Sequence, residues 1–284
     1  MYAEILSLVA AALFGLNAIF LKRGYLHSSP LASNLVMTTV NVAAFWVISL
    51  LFVPLNLFLT KGVIFFAIGG LLGQALARTL QYKGIDKIGP PRNHTVLSTM
   101  SLFTAIFAML ILGERPGLPV LLGTLLIMAG VSLVMWEHKS ALQKKYLLFP
   151  LLAAIIYGFV NIIQKSGLNI TQNGIAGATV AVTSALFGLL VFTSATGKLK
   201  ALMKLGKARN YFIAAGLINT IGFLLNFVAL QKGSVTTIAP LVGTQPLFAT
   251  LFTYLFLKDI DKVTWNVVLG AILAVAGVVA ITAF

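Results

Sequence analysis

Apolar runs of about twenty residues recur along the chain, each closed by a short polar or basic stretch. Ten can be drawn, at 3–23, 31–53, 62–82, 91–112, 117–136, 147–165, 174–194, 211–231, 236–257 and 263–283. A bilayer core takes about 20 apolar helical residues to cross, so each run predicts one membrane-spanning helix. Together the ten use nearly the whole chain and leave no length for a soluble domain. The expected fold is an all-α integral membrane body.

The pattern of the first half returns in the second. LGTLLIMAGVSLV (122–134) is echoed by LGAILAVAGVVAI (269–281), with Gly123 and Gly130 matched by Gly270 and Gly277. AALFGLNAIFLKRG (11–24) is echoed by AIIYGFVNIIQKSG (154–167), where Gly15, Ile19, Lys22 and Gly24 meet Gly158, Ile162, Lys165 and Gly167. This predicts two repeats, 1–141 and 142–284, of five spans each. An odd span count makes the second repeat enter the membrane from the opposite side. An inverted pair of this kind places a substrate path between the repeats, near the midplane.

Composition and charge agree with a membrane body. Hydrophobic residues make up 59% and charged residues 9% of the chain, where a soluble domain carries about 25% charged. The net charge of +14 does not point to nucleic acid, because its lysines sit in short loops: Lys139, Lys144 and Lys145, then Lys198, Lys200, Lys204, Lys207 and Arg209. Such loops carry the positive-inside topology signal and contact anionic lipid. The odd-numbered loops hold most of the basic residues, which puts them in the cytoplasm and both termini outside. The N-terminus, MYAEILSLVA, lacks the basic start of a cleavable signal peptide. Absence of cysteine excludes disulfides, thiolate metal sites, prenylation and palmitoylation.

The segments LFTAIFAMLILGERPGLPVLLGTLLIMAGVSLV (102–134) and PLFATLFTYLFLKDIDKVTWNVVLGAILAVAGVV (246–279) resemble two copies of the end of an EamA-type repeat of the drug/metabolite transporter superfamily. The copies depart from one another where Ser101 stands for Pro246 and Lys258-Asp259 for Gly113-Glu114. The resemblance implies ten helices in inverted repeats and transport of small metabolites, whether amino acids, drugs, sugar phosphates or nucleotide sugars. It implies cytoplasmic termini, against the charge count, and the expected location is the plasma (inner) membrane.

Polar residues within spans are the candidate site, since they are costly in lipid. Gln74, Arg78 and Gln81 stand at i, i+4 and i+7 on one face. Arg78 lies about four residues from the end of its run, so both a cavity role and snorkelling to the interface fit it. GPPRNHTVLSTMS (89–101) opens the fourth span: Pro90 and Pro91 suit a helix start, and Arg92, Asn93, His94 and Thr95 fill its first turns. His94, Ser98 and Ser101 form a further stripe, at a helix start whose N–H groups favour anions. Asn219 and Asn226 share a face of the eighth span. Thr244 and Gln245 precede Pro246, which removes a backbone donor and bends the ninth. Asn17 and Asn161 occupy near-equivalent places in the first and sixth spans, and each asparagine alone reads equally as interhelical glue. The spaced glycines predict close helix packing, as scaffold or dimer face. Trp136 and Trp265 read as interfacial belt residues, and Trp46 as core or cavity wall.

The six acidic residues, Glu4, Asp86, Glu114, Glu137, Asp259 and Asp261, all avoid the middle of a span. That argues against exchange of a proton for a cationic drug on a buried carboxylate. His94 is the histidine placed to carry a proton inside, because His27 and His138 fall in loops. No HExxH, GxSxG or Walker loop is present, so neither an enzyme, a bound metal nor a cofactor is expected. The reading is a secondary transporter of a small polar organic solute, an amino acid or organic anion, working by alternating access. Candidate contacts are Asn17, Gln74, Arg78, Arg92, Asn93, His94, Ser98, Asn161, Asn219, Asn226 and Gln245. Expected partners are the solute, the bilayer and a coupling proton or ion, with the protein a monomer or homodimer. The alternatives are a sugar-phosphate or nucleotide-sugar exchanger, a passive pore, and a non-transporting assembly partner.

Overall fold

The computed structural model describes residues 2–112, 118–137, 144–197, 199, 205–233 and 235–282. Among these the chain forms helices and turns, with no strand. In order they are α1 (Tyr2–Gly24), α2 (Pro30–Phe52), α3 (Gly62–Ile88), α4 (Pro90–Leu97), α5 (Met100–Leu112), α6 (Leu118–Glu137), α7 (Leu148–Thr171), α8 (Gly174–Ala195), α9 (Ala208–Lys232), α10 (Val235–Val242), α11 (Gln245–Phe256) and α12 (Trp265–Thr282). Where the sequence suggests ten spans, seven described helices are long and apolar enough to cross a membrane, and Trp265–Ala280 is a shorter apolar helix. The run at 236–257 is divided into α10 and α11, as the fourth run, counted among the seven as Pro90–Ile111, is divided into α4 and α5. The Gly113-Glu114 turn, Trp136 and the Lys198, Lys200 and Lys204 loop lie outside what the structure describes of main and side chains.

Many large apolar side chains face outward, and polar ones share the interior with an apolar core that includes Phe45, Phe66 and Phe227. Leu110, Phe187 and Trp265 are exposed, whereas Asn34, Asn41, Gln74, Arg78 and His94 are buried. Trp265 at the start of α12 fits an interfacial anchor. Trp46 packs inside: its Nε1 donates to Thr183 Oγ1 at 3.1 Å and its ring stacks on Phe58.

Helix starts use local chemistry. Ser29 Oγ accepts from Ala32 N at 3.3 Å ahead of Pro30, and Asn173 Oδ1 accepts from Ala176 N at 2.9 Å ahead of α8. Both satisfy donors that a helix N-terminus leaves orphaned. The C-terminal carbonyls of α3 and α9 receive matching lysines from the first helix of each half. Lys22 Nζ donates to Asp86 O (2.8 Å) and Ile85 O (3.3 Å), and Lys165 Nζ donates to Gly233 O (2.8 Å) and Leu230 O (2.9 Å).

The halves pack reciprocally. α1 lies on α9 and α11, as α7 lies on α3 and α5; α6 lies along α12. Glycines set these approaches. A Cβ on Gly15 would stand 2.8 Å from Phe248 Cβ, and one on Gly158 would stand 2.7 Å from Phe103 Cβ. Gly130 backs onto the α12 backbone at Ala274, and Gly277 onto the α6 backbone at Ile127. The glycine faces read from sequence as scaffold or dimer surface therefore meet each other within one chain.

Three irregularities position the interior. Residues Gly70–Ala77 of α3 form a π-helical stretch, and its loosened carbonyls are met by Asn34 Nδ2, which donates to Gln74 O at 3.0 Å and Ala75 O at 3.3 Å. The fourth apolar run breaks at Ser98-Thr99, where Ser98 Oγ donates to Thr95 O (2.7 Å) and Thr99 Oγ1 to Val96 O (2.8 Å). The ninth breaks just before Pro246, where Thr244 Oγ1 donates to Leu241 O at 2.7 Å. Side-chain hydroxyls thus satisfy carbonyls that a continuous helix would have paired.

Candidate functional site

One buried cavity lies between the halves, with an empty volume of about 860 Å³ including its mouth. Pockets for small organic ligands run from about 300 to 1,000 Å³. Its walls come from equivalent positions of the two repeats. From α3 come Gln74, Arg78, Gln81 and Ile85; from α9 come Asn219, Phe223, Asn226 and Leu230, each 145 residues later (74 and 219, 78 and 223, 81 and 226, 85 and 230). Phe14 and Asn17 of α1 are matched by Tyr157 and Val160 of α7, 143 later (14 and 157, 17 and 160). The broken helices add Leu97 and Met100 on one side, Val242 and Gln245 on the other, again 145 apart (97 and 242, 100 and 245). His94, Tyr82, Asn161, Gln164 and Ile238 complete the lining.

The duplication supplies a symmetric frame, but its chemistry is one-sided. Gln74, Arg78 and His94 on the first repeat stand where the second carries Asn219, Phe223 and Ala239 (94 and 239). Among the described residues Arg78 is the single one of permanent charge in the lining, and none of those that form it is a carboxylate. α3 runs on to Ile88, so Arg78 sits well inside the helix and only 4% exposed, not at an interface to which it could snorkel.

Two neighbours hold Arg78. Its guanidinium carbon is 5.7 Å from the Phe223 ring centroid. Asn41 of α2 sits on the other side, and electrostatics favours the amide orientation with oxygen toward the cation. The Asn41 oxygen then accepts from Arg78 Nη1 at 3.2 Å, and its nitrogen donates to Met37 O, Gly216 O and Thr220 Oγ1. Asn41 also touches Asn219 at 2.9 Å.

Of the eleven residues singled out from sequence, Asn17, Gln74, Arg78, His94, Asn161, Asn219, Asn226 and Gln245 line this cavity. Some are partly committed: Asn17 Nδ2 donates to Ala215 O at 2.6 Å, and Asn161 Nδ2 to Thr104 Oγ1 at 3.1 Å. Others have polar atoms without a well-formed hydrogen bond, namely Gln74 Oε1 and both ring nitrogens of His94. Arg92, Asn93 and Ser98 are elsewhere. Arg92 Nη1 pairs with Asp261 Oδ1 at 3.2 Å and its Nη2 reaches Lys262 O at 3.4 Å. Asn93 is buried against Gly84, and Ser98 caps its own helix.

Four contributors escaped the sequence reading. Tyr157, whose hydroxyl donates to Gln81 Oε1 at 3.0 Å, Gln164 and Tyr82 line the cavity, and Asn41 supports it. Tyr157 was traceable as the partner of Phe14, one residue before the repeated glycine. Asn41 was traceable as an amide in mid-span.

This geometry defines a class: a multi-pass integral membrane protein of two duplicated helical halves around a polar cavity. The chain belongs to the EamA-like transporter family, whose model matches residues 1–136 and 144–283, and with it to the drug/metabolite transporter superfamily, a group of transporters rather than enzymes. No curated protein matches the sequence. A solved crystal structure, described only as that of a protein, is similar to this chain with a TM-score of 0.74. The match covers 99% of this chain and 96% of the other at 14% identity, a likeness of fold alone.

Proposed function

We propose that this protein is a secondary transporter of a small polar organic solute bearing an anionic group, such as an amino acid or organic acid. It would work by alternating access between two inverted repeats, 1–141 and 142–284, in the plasma (inner) membrane. The observation that carries this reading is the solitary guanidinium of Arg78 in an acid-free cavity. A cation held away from water and without a carboxylate is an anion site in wait. Arg78 would take the anionic group, with Gln74, Asn226 and Gln245 hydrogen-bonding the rest of the solute. The aromatic and aliphatic wall of Phe14, Phe223, Leu230 and Val242 would accept its apolar part. Alternating access is supported by the helix breaks of α4/α5 and α10/α11, because interrupted helices at a central site can rearrange without unpairing backbone in lipid.

The test is a thermal-stability screen of the purified protein against amino acids, organic acids, sugar phosphates, nucleotides and cationic drugs. A ligand at 100 times its dissociation constant adds about 2.7 kcal/mol of stability. Stabilisation by one anionic class, lost in Arg78→Gln, supports the reading; stabilisation by cationic drugs alone sinks it. Counterflow in proteoliposomes then separates a carrier from a pore, since a pore shows none.

A further inference from the structure

His94 presents an unusual combination for a membrane interior. It is 1% exposed, yet neither Nδ1 nor Nε2 makes a well-formed hydrogen bond, the Gln245 side chain lying close beside the ring. A neutral imidazole carries one donor and one acceptor, and burying both unpaired is costly. The ring lines the same cavity as Arg78. It also sits at the first helix break, where its carbonyl accepts from Ser98 N at 3.0 Å, and it faces Gln245, the first residue after the second break.

The titratable groups around it are few. α3 brings Arg78 and Tyr82 to the cavity, and α7 brings Tyr157. Arg92, half a turn earlier on α4, is paired with Asp261. Lys22 of α1 is bound to the carbonyls of Ile85 and Asp86, and the Asp86 carboxylate to Lys87 at 2.9 Å. The described side chains of α5, α6, α11 and α12 are uncharged. An imidazolium at His94 would therefore share the cavity with Arg78 and find no carboxylate among the described residues that line it.

We propose that His94 is a proton-binding site that couples transport of the anionic solute to a proton gradient. The proposal rests on the anion reading of the same cavity. The proton comes from the water on whichever side the cavity faces and binds a ring nitrogen. It travels with the solute in the same direction and leaves to water on the far side. Coupling arises because the solute's anionic group supplies the counter-charge that the imidazolium lacks. Proton and anion each favour the other's binding, and by linkage they do so equally.

The test uses proteoliposomes loaded with a pH-sensitive dye, with membrane potential clamped at zero, and L-leucine, L-glutamate and succinate as probes. The expected result is lumen acidification with net probe influx in the wild type, and in His94→Gln weaker probe binding with loss of acidification per probe taken up, read at probe concentrations raised to restore influx. Net probe influx in the wild type without any lumen pH change, or equal acidification in His94→Gln, overturns the proton site and leaves the anion reading standing. If no probe exchanges or stabilises the wild type, the anion reading falls and the proton site with it. Should His94→Gln and His94→Asn both fold but lose counterflow, proton uptake on probe binding in detergent decides. Its loss in both variants at matched occupancy supports the site, and its persistence overturns it.

Discussion

Arg78 and Phe223 hold the same place in the two repeats, 145 residues apart (78 and 223), and they touch, guanidinium to ring face, at 5.7 Å. Residues related by a pseudo-two-fold meet only near its axis, so this contact marks the middle of the molecule. A cation over an aromatic face contributes about 0.5–2 kcal/mol, more when water is excluded. Duplication built a symmetric frame, and divergence at one matched pair made its centre charged on one side only.

Removing the charge should uncouple the site from its ligand without unfolding the protein. Arg78→Gln is expected to bind a stabilising anion about 10- to 150-fold more weakly, the equivalent of a charged hydrogen bond worth about 1.5–3 kcal/mol. Isothermal titration in detergent reads this. Full affinity in Arg78→Gln would argue against a charge role.

Asn41 stands behind the cavity lining and aims Arg78. Asn41→Leu should lower anion affinity while sparing the melting temperature of the ligand-free protein less than Asn41→Asp does, because a carboxylate can still accept from the guanidinium. Equal affinity in wild type and Asn41→Leu, measured by the same titration, would remove its positioning role.

The Arg92–Asp261 pair joins α4 of the first repeat to the segment before α12, with side chains 11% and 13% exposed. Breaking a largely buried pair from one side strands a charge and costs about 3–5 kcal/mol. Arg92→Met and Asp261→Asn should each lower thermal stability, and the double variant should cost less than their sum. Strict additivity in the double-mutant cycle would mean the pair does not interact.

Lys22 and Lys165 each donate to carbonyls at the end of the corresponding helix in their own half, Ile85 and Leu230 being the matched pair (85 and 230). Lys22→Met and Lys165→Met should destabilise by similar amounts, about 1 kcal/mol each for a cation at a helix C-terminus. A large effect from one and none from the other in thermal melts would show the equivalence to be geometric only.

Gly277 stands against the α6 backbone at Ile127, where an added Cβ would come within 2.8 Å. Gly277→Leu should therefore separate α6 from α12 and cost at least about 1–3 kcal/mol as overpacking. An unchanged melting temperature would mean that the two helices do not depend on this approach.

Much of this architecture was legible because duplication leaves matched letters: Gly15 with Gly158, Lys22 with Lys165, Gly130 with Gly277. The α3 stripe was legible too, since polar residues in mid-span must face protein or water. Arg92, Asn93 and His94 were harder to sort. Consecutive helical residues point about 100° apart, so they cannot all face one cavity, and only His94 does. The break at Ser98-Thr99 was missed because no proline marks it, unlike its counterpart before Pro246. The π-helical stretch of α3 carries no sequence signature beyond Gly70 and Gly73, and what sustains it is a tertiary bond from Asn34.

The reciprocal packing has a genetic corollary. Most helices of each half bury themselves against the opposite half: α1 on α9 and α11, α7 on α3 and α5, α6 on α12. Either half made alone would be left with bare glycine seams and half a cavity lining. Such a half-length ancestor could have been stable only by associating with a second copy of itself. Fusion into one chain then freed the two copies to differ, so that a codon change at 78 no longer imposed the same side chain at 223.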